Sequence, residues 1–111
     1  NPVWVIRNKE LIEFKPDKMP IGKHDNDHES FKLNTFPLQK GDLIYTITDG
    51  YADQFGGNKN KKFNSKNLKE LLLELTYLPM QEQKENLKNN FENWKGNHEQ
   101  IDDVTVIGIK I

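Results

Sequence analysis

The sequence of 111 residues has no cysteine, a single arginine and no long apolar run. The absence of cysteine excludes disulfides, thiolate metal sites and a cysteine nucleophile, and it suits a cytoplasmic location. Lys and Arg total 16 against 17 Asp and Glu, so no excess of positive charge favours nucleic acid or anionic lipid. No apolar run approaches the roughly 18–20 residues that span a bilayer.

Hydrophobic residues make up only 34% of the chain, which predicts a thin core. They are concentrated in compact blocks, and the net charge is only −1, so the composition does not indicate disorder. The length suits one domain and not two. We therefore interpret residues 1–111 as a single unit.

Alternating or β-branched runs predict the strands. Val3–Ile6 and Leu11–Phe14 are joined by Asn8-Lys9, which predicts a hairpin. Polar, Pro- and Gly-containing residues predict a loop over Pro16–Ser30, and alternation predicts a strand over Phe31–Phe36. Two further runs have apolar residues on both faces, so we expect central, buried strands: Leu43–Thr48 and Val104–Ile111.

Two helices are predicted between those last strands. Leucines at positions 68, 71, 72 and 75 follow helical spacing, with Ser65 as the expected N-cap. The second helix begins after Pro79 and ends at Lys95-Gly96. Gly56–Lys62 is predicted to be a flexible basic loop. This order predicts an α+β domain with a mostly antiparallel sheet and a helix pair before the last strand.

Two aspartates stand where the two central strands would meet. Asp49 follows the first strand and Asp102 precedes the second. If the strands are antiparallel neighbours, both carboxylates lie at one edge of the sheet, where their repulsion is relieved by a cation or by raised pKa values. Mg²⁺ and Mn²⁺ prefer such oxygen ligands. The alternative is that both residues are ordinary turn residues.

Two other groups of residues invite functional interpretations. His24 and His28 are spaced for a metal only if they lie on a helix, and their surroundings are typical of a solvated loop. A lysine-rich stretch could attract a phosphorylated partner or could simply keep the protein soluble; its members are Lys59, Lys61, Lys62, Lys66 and Lys69.

The order of two motifs resembles a known family. The run Gly41–Gly50, ending in Thr-Asp-Gly, is followed by Ile101-Asp102-Asp103-Val104-Thr105. Together they resemble the C-terminal part of the PP2C-type metal-dependent protein serine/threonine phosphatases, in the bacterial SpoIIE/RsbU-like branch. Asn1–Arg7, Pro20–Gly22 and Gly50–Gly57 are also similar to that branch.

The resemblance implies an αββα sandwich that holds two Mn²⁺ or Mg²⁺ ions. It implies that Asp49 and Asp102 ligate metal, that Asp103 supports the ligands, and that Thr48 and Gly50 shape the turn. Members of the family carry an earlier Asp-Gly element, whereas Asp49-Gly50 is the only one in this sequence. We therefore expect a partial domain that lacks the N-terminal half of the sandwich and is inactive alone.

The resemblance further implies that a metal-activated water hydrolyses phosphoserine or phosphothreonine in a signalling partner. It also implies an upstream sensor domain in a parent protein that could be membrane-anchored. A non-catalytic interaction module of the same fold and a small structural domain remain open as alternatives. Because both central strands have two apolar faces, we expect an exposed sheet face or edge, or a homo-oligomer that covers it.

Overall fold

A computed structural model describes residues 2–15 and 36–111. The expected loop over Pro16–Ser30, with His24 and His28, lies outside the described residues. The expected strand over Phe31–Phe36 lies outside them as well, except for Phe36. Phe36 is not in a strand; its ring lies 4.9 Å from that of Phe14. None of the helices in the described ranges combines the length and apolarity needed to cross a membrane.

The first two strands form the predicted hairpin. Strand β1 spans Val3–Arg7 and β2 spans Glu10–Phe14, paired antiparallel in register Val5↔Ile12. The two residues between them, Asn8 and Lys9, have φ of 50° and 65°. Two successive positive φ angles match the twist of a tight hairpin, and asparagine adopts them readily.

Within the described ranges, one antiparallel sheet organises the fold. Strand β3 spans Leu43–Ile47 and β6 spans Val106–Lys110, and the order across the sheet is β2-β1-β3-β6. The prediction that the Leu43 strand is central is confirmed. The prediction of a buried last strand is wrong, because β6 lies at the edge of this sheet and most of its residues are exposed.

Two helices cover one face of the sheet. Helix α2 spans Ser65–Glu74 and α3 spans Met80–Lys95, with a four-residue helix, α1, at Gly50–Asp53. Leu68 and Leu72 are fully buried. They pack in one core with sheet and helix residues: Trp4, Ile6, Leu43, Tyr45, Ile47, Tyr51, Leu75, Leu87 and Phe91. The leucine spacing therefore marks the buried face, as predicted.

The helix ends match the sequence signals with one exception. Helix α3 begins after Pro79, and Gly96 ends it with φ of 51°, a conformation that favours glycine. Ser65 was predicted as the cap of α2, but the cap is Asn64, whose Oδ1 accepts a hydrogen bond of 2.8 Å from Asn67 N. The helix begins at Ser65 itself, so the preceding asparagine takes the cap position, and its side-chain oxygen satisfies the N–H of the third helical residue.

The segment Gly56–Lys62 forms a hairpin and not a flexible loop, so that prediction is wrong. Strand β4 at Phe55–Gly56 pairs with β5 at Lys61–Lys62. Gly56 is buried, and a Cβ there would lie 2.0 Å from the carbonyl oxygen of Trp94. The close approach of α3 requires glycine and fixes the hairpin in place.

The other face of the sheet is partly uncovered. Val3, Ile107 and Ile109 share this face through the register with β3, and they are 37%, 51% and 53% exposed. Exposed isoleucines on an edge strand are unusual, because such an edge invites pairing or packing with another surface. The exposed apolar sheet face expected from the sequence is therefore present.

The single arginine anchors the start of β3. Its Nε and Nη2 donate to the two carboxylate oxygens of Asp42 at 3.0 and 2.7 Å, and Nη2 also donates to Pro37 O. Asp42 is 2% exposed and accepts a further hydrogen bond from Gln39 N at 2.8 Å. The Arg7 guanidinium, followed by the Gln39 N–H, lowers the pKa of Asp42.

This ion pair predicts acid sensitivity. A carboxylate whose pKa is lower in the folded state stabilises the fold above the unfolded pKa, near 4, and that stability is lost as pH falls through the folded pKa. Glu13, whose pKa is lowered by Lys69 and Trp4, acts in the same direction. Urea unfolding between pH 2 and 7 should therefore show stability falling below about pH 4.

Asp42→Asn provides the matched comparison. It should be less stable than the wild type at pH 7, because it lacks the ion pair with Arg7. Its stability should also depend less on pH, because the asparagine side chain does not titrate. Parallel pH profiles for the two proteins would show that Asp42 does not cause the acid sensitivity.

Candidate metal site at one end of the central strands

The antiparallel pairing of β3 and β6 brings two distant segments together. Ile47 pairs with Val106, and beyond it Thr48 N donates to Thr105 O at 3.0 Å. Residues 48–50 and 102–105 therefore lie side by side at one end of these strands. The juxtaposition of Asp49 and Asp102 that the sequence suggested depends on this pairing.

The Thr48 hydroxyl joins the two segments. Its Oγ1 accepts a hydrogen bond of 3.0 Å from Thr105 N and lies 3.2 Å from Asp103 O, to which it donates. Only a short side chain with both a donor and an acceptor can make both contacts here. Thr48 thus fixes the backbone of the loop that carries the second aspartate.

Gly50 allows the closest contact between the segments. A Cβ at this position would lie 2.1 Å from Asp103 O and 3.1 Å from a methyl group of Val104. Gly50 does not have a positive φ, so glycine is required here by space and not by backbone conformation. The turn after β3 therefore packs directly on the Asp103 backbone.

The two predicted ligands are exposed at this edge. Asp49 precedes α1, and its side chain makes no capping hydrogen bond. Asp102 is oriented by its own neighbour, because its Oδ1 accepts a hydrogen bond of 2.7 Å from Asp103 N. Asp103 therefore contacts Asp102 through its backbone, and the loop carbonyl of Asp102 accepts from Gln100 at 3.0 Å.

These residues fit part of a site for a hard cation. Two exposed carboxylates at one edge suit Mg²⁺ or Mn²⁺, which take one or two carboxylates and keep several waters. Residues 2–15 and 36–111 contain no group of three or more Asp, Glu, His or Cys placed to hold an ion. Asp49 and Asp102 therefore supply at most a partial ligand set.

The lysine-rich stretch is partly engaged within the chain. Lys62 lies 3.6 Å from Asp53, and Lys69 binds Glu13 at 3.0 Å while its Nζ lies 5.3 Å from the Trp4 ring. The half-buried Lys69–Glu13 pair stabilises the fold, whereas the exposed Lys62–Asp53 pair contributes little. Four members of the stretch are exposed, namely Lys59, Lys61, Lys62 and Lys66, and Lys69 is half-buried.

Sequence reasoning missed Gln54, which contacts the loop that carries Asp102, and Gln100, which lies in that loop. Gln54 Nε2 donates to Glu99 O at 2.9 Å across 45 positions of sequence. A lone glutamine has no periodicity or motif that could have revealed this contact.

Comparisons with known proteins place this geometry in a family. The profile described as Stage II sporulation protein E (SpoIIE) matches residues 1–111. No curated protein matches the sequence.

Solved structures of phosphatase domains are similar to this chain in fold. The SiaA-PP2C domain of Pseudomonas aeruginosa is similar with a TM-score of 0.84 and 27% identity, over 99% of this chain and 43% of that one. The phosphatase domain of the cell fate determinant SpoIIE from Bacillus subtilis, presoaked with Mn, has a TM-score of 0.61 and 20% identity, over 100% and 46%.

This chain therefore spans less than half the length of these solved domains. The likeness confirms the predicted α+β fold, and the match over the full sequence confirms the resemblance. The chain belongs to the SpoIIE family of PP2C-type phosphatase domains.

Proposed function

We propose that this chain is part of a Mg²⁺- or Mn²⁺-dependent phosphatase that hydrolyses phosphoserine or phosphothreonine in a signalling protein. One observation carries the proposal: Asp49 and Asp102 lie at adjacent strand ends that Thr48 joins through hydrogen bonds to Asp103 O and Thr105 N. Membership of a phosphatase family supports the interpretation of the two aspartates as metal ligands.

In this proposal Asp49 and Asp102 hold the divalent ions by their carboxylates. When bound, such ions lower the pKa of a coordinated water and neutralise charge on phosphoryl oxygens. The Asp103 N–H orients the Asp102 carboxylate, and Thr48 and Gly50 fix the turn behind Asp49. No side chain of this chain is required as a nucleophile.

The two carboxylates are only part of the ligand set, so we expect this chain alone to bind Mn²⁺ weakly and to have no activity. The solved relatives are more than twice as long. Their extra length would supply the earlier Asp-Gly element and a second sheet to cover Val3, Ile107 and Ile109. An upstream sensor domain belongs to this proposal, and a homo-oligomer through the same face is the alternative to coverage by a second sheet.

A non-catalytic module of the same fold is the alternative. It is favoured by the lack of a three-ligand cluster within the described ranges and by the exposed lysines of the β4–β5 hairpin and α2. In that case the exposed lysines would hold a partner, and the aspartates would be turn residues.

The test compares two proteins with Mn²⁺ present. One is this chain, and the other is the parent sequence extended to the length of the solved domains. Both are assayed with para-nitrophenyl phosphate and a phosphoserine protein. We expect activity in the longer protein only; an inert longer protein with intact Asp49 and Asp102 would reject the enzyme in favour of the module.

A further inference from the structure

The loop that carries Asp102 depends on other elements for its position. Residues 96–105 connect α3 to β6 without regular secondary structure, apart from turns, and most of them are exposed. At its C-terminal end the loop is held by Thr48 and by packing against Gly50. At its N-terminal end it is held by the side chain of Gln54, which follows α1.

The Gln54 carboxamide is fully buried and uses both of its N–H donors. Nε2 donates to Phe55 O and to Glu99 O, each at 2.9 Å, and the side chain is 0% exposed. The two carbonyl acceptors determine the orientation of the amide, because a reversed group would place its oxygen against both. The carboxamide therefore joins the end of α1 to the loop.

The oxygen of the same group has no partner. Gln54 Oε1 is buried without a hydrogen bond among residues 2–15 and 36–111. An unsatisfied buried oxygen is destabilising, and an apolar side chain would avoid that cost. Packing alone therefore does not account for glutamine here, whereas its two donors do.

The Gln54 backbone is itself fixed. Its carbonyl accepts hydrogen bonds from Phe63 N at 2.9 Å and from Trp94 Nε1 at 2.8 Å. The side chain thus extends from a rigid point to Glu99. Gln54 lies five residues after Asp49, and Glu99 lies three residues before Asp102. The hydrogen bond between Gln54 and Glu99 therefore links the two segments that carry the predicted ligands.

We propose that Gln54 is a positioning residue that sets Asp102 relative to Asp49 by holding the Glu99 carbonyl, an inference that rests on the proposed metal site. Gln54 does not touch the ions or the substrate. Its loss should loosen the Asp102 loop and weaken metal binding while the sheet and helices persist.

The test compares Gln54→Met with Trp94→Phe in this chain labelled with ¹⁵N. Methionine has a similar length and no donor, whereas Trp94→Phe removes the neighbouring bond to Gln54 O and keeps the bond to Glu99. Backbone order parameters of Asp102 and Asp103 should fall from about 0.85 to below about 0.6 in Gln54→Met only. Mn²⁺ affinity, from line broadening at these amides, should fall about 10-fold or more, as is typical for groups that orient metal ligands.

Unchanged order and affinity in Gln54→Met, or an equal loss in Trp94→Phe, would overturn the proposal. If Gln54→Met does not unfold cooperatively, Gln54→Asn, which is too short to reach both carbonyls, is measured with the same expectations. If the wild type shows no Mn²⁺ effect, the proposed metal site fails, and the order parameters still decide whether Gln54 holds the loop.

Discussion

Replacing Asp49 by asparagine should lower Mn²⁺-dependent phosphatase activity by more than about 100-fold, measured in the parent sequence extended to the length of the solved domains. Groups that only orient metal ligands contribute about 10–100-fold, so the loss of a ligand should exceed that. Stability should change little, because the Asp49 side chain is exposed and caps no helix. The measurements are kcat/KM with para-nitrophenyl phosphate and the melting temperature.

Asp53→Asn is the matched control for that substitution. Asp53 ends the short helix that Asp49 precedes; its side chain is 44% exposed and pairs with Lys62 at 3.6 Å. Its neutralisation should leave kcat/KM unchanged, because exposed ion pairs contribute little. Equal activity in Asp49→Asn and the wild type would remove Asp49 from the metal site.

Gly50→Ala should both destabilise the chain and weaken Mn²⁺ binding. The added methyl group would lie 2.1 Å from Asp103 O. Because this oxygen belongs to the backbone, no side-chain rotation can relieve the clash. Overpacking costs about 1–3 kcal/mol, and here the shift falls on the loop that carries Asp102. Urea unfolding gives the stability, and Mn²⁺ titration gives the affinity.

Ala52→Gly separates the two effects of that substitution. It changes one methyl group in the same helix and should cost about 1 kcal/mol through helix propensity, with Mn²⁺ affinity unchanged. If Gly50→Ala were as stable as the wild type and bound Mn²⁺ equally well, the close packing of Gly50 on Asp103 would not matter to the site.

Periodicity and turn chemistry predicted the elements that depend on local sequence. The alternating run of β3, the Asn8-Lys9 turn and the leucine spacing of α2 each report a local preference, and all three are present. The adjacency of the segments that carry Asp49 and Asp102 was also predictable, because it follows from pairing two strands of clear pattern.

Other contacts between distant segments could not be predicted from the sequence. The apolar faces of β6 predict burial, but its place at the sheet edge depends on which strands pair. The hairpin that contains Gly56 is held by close packing on Trp94, 38 positions away. The hydrogen bond between Gln54 and Glu99 spans 45 positions. The Arg7–Asp42 pair likewise needs β1 and β3 to be neighbours, which neither residue signals.

Mn²⁺ titration of the ¹⁵N-labelled wild-type chain tests the central claim most directly, because a bound paramagnetic ion broadens only nearby amide signals. The amides of Asp49, Gly50, Asp102 and Asp103 should broaden together at one Mn²⁺ concentration, and Asp49→Asn should abolish the effect at all four. Absence of selective broadening there, or broadening that persists in Asp49→Asn, would contradict a metal site shared by Asp49 and Asp102.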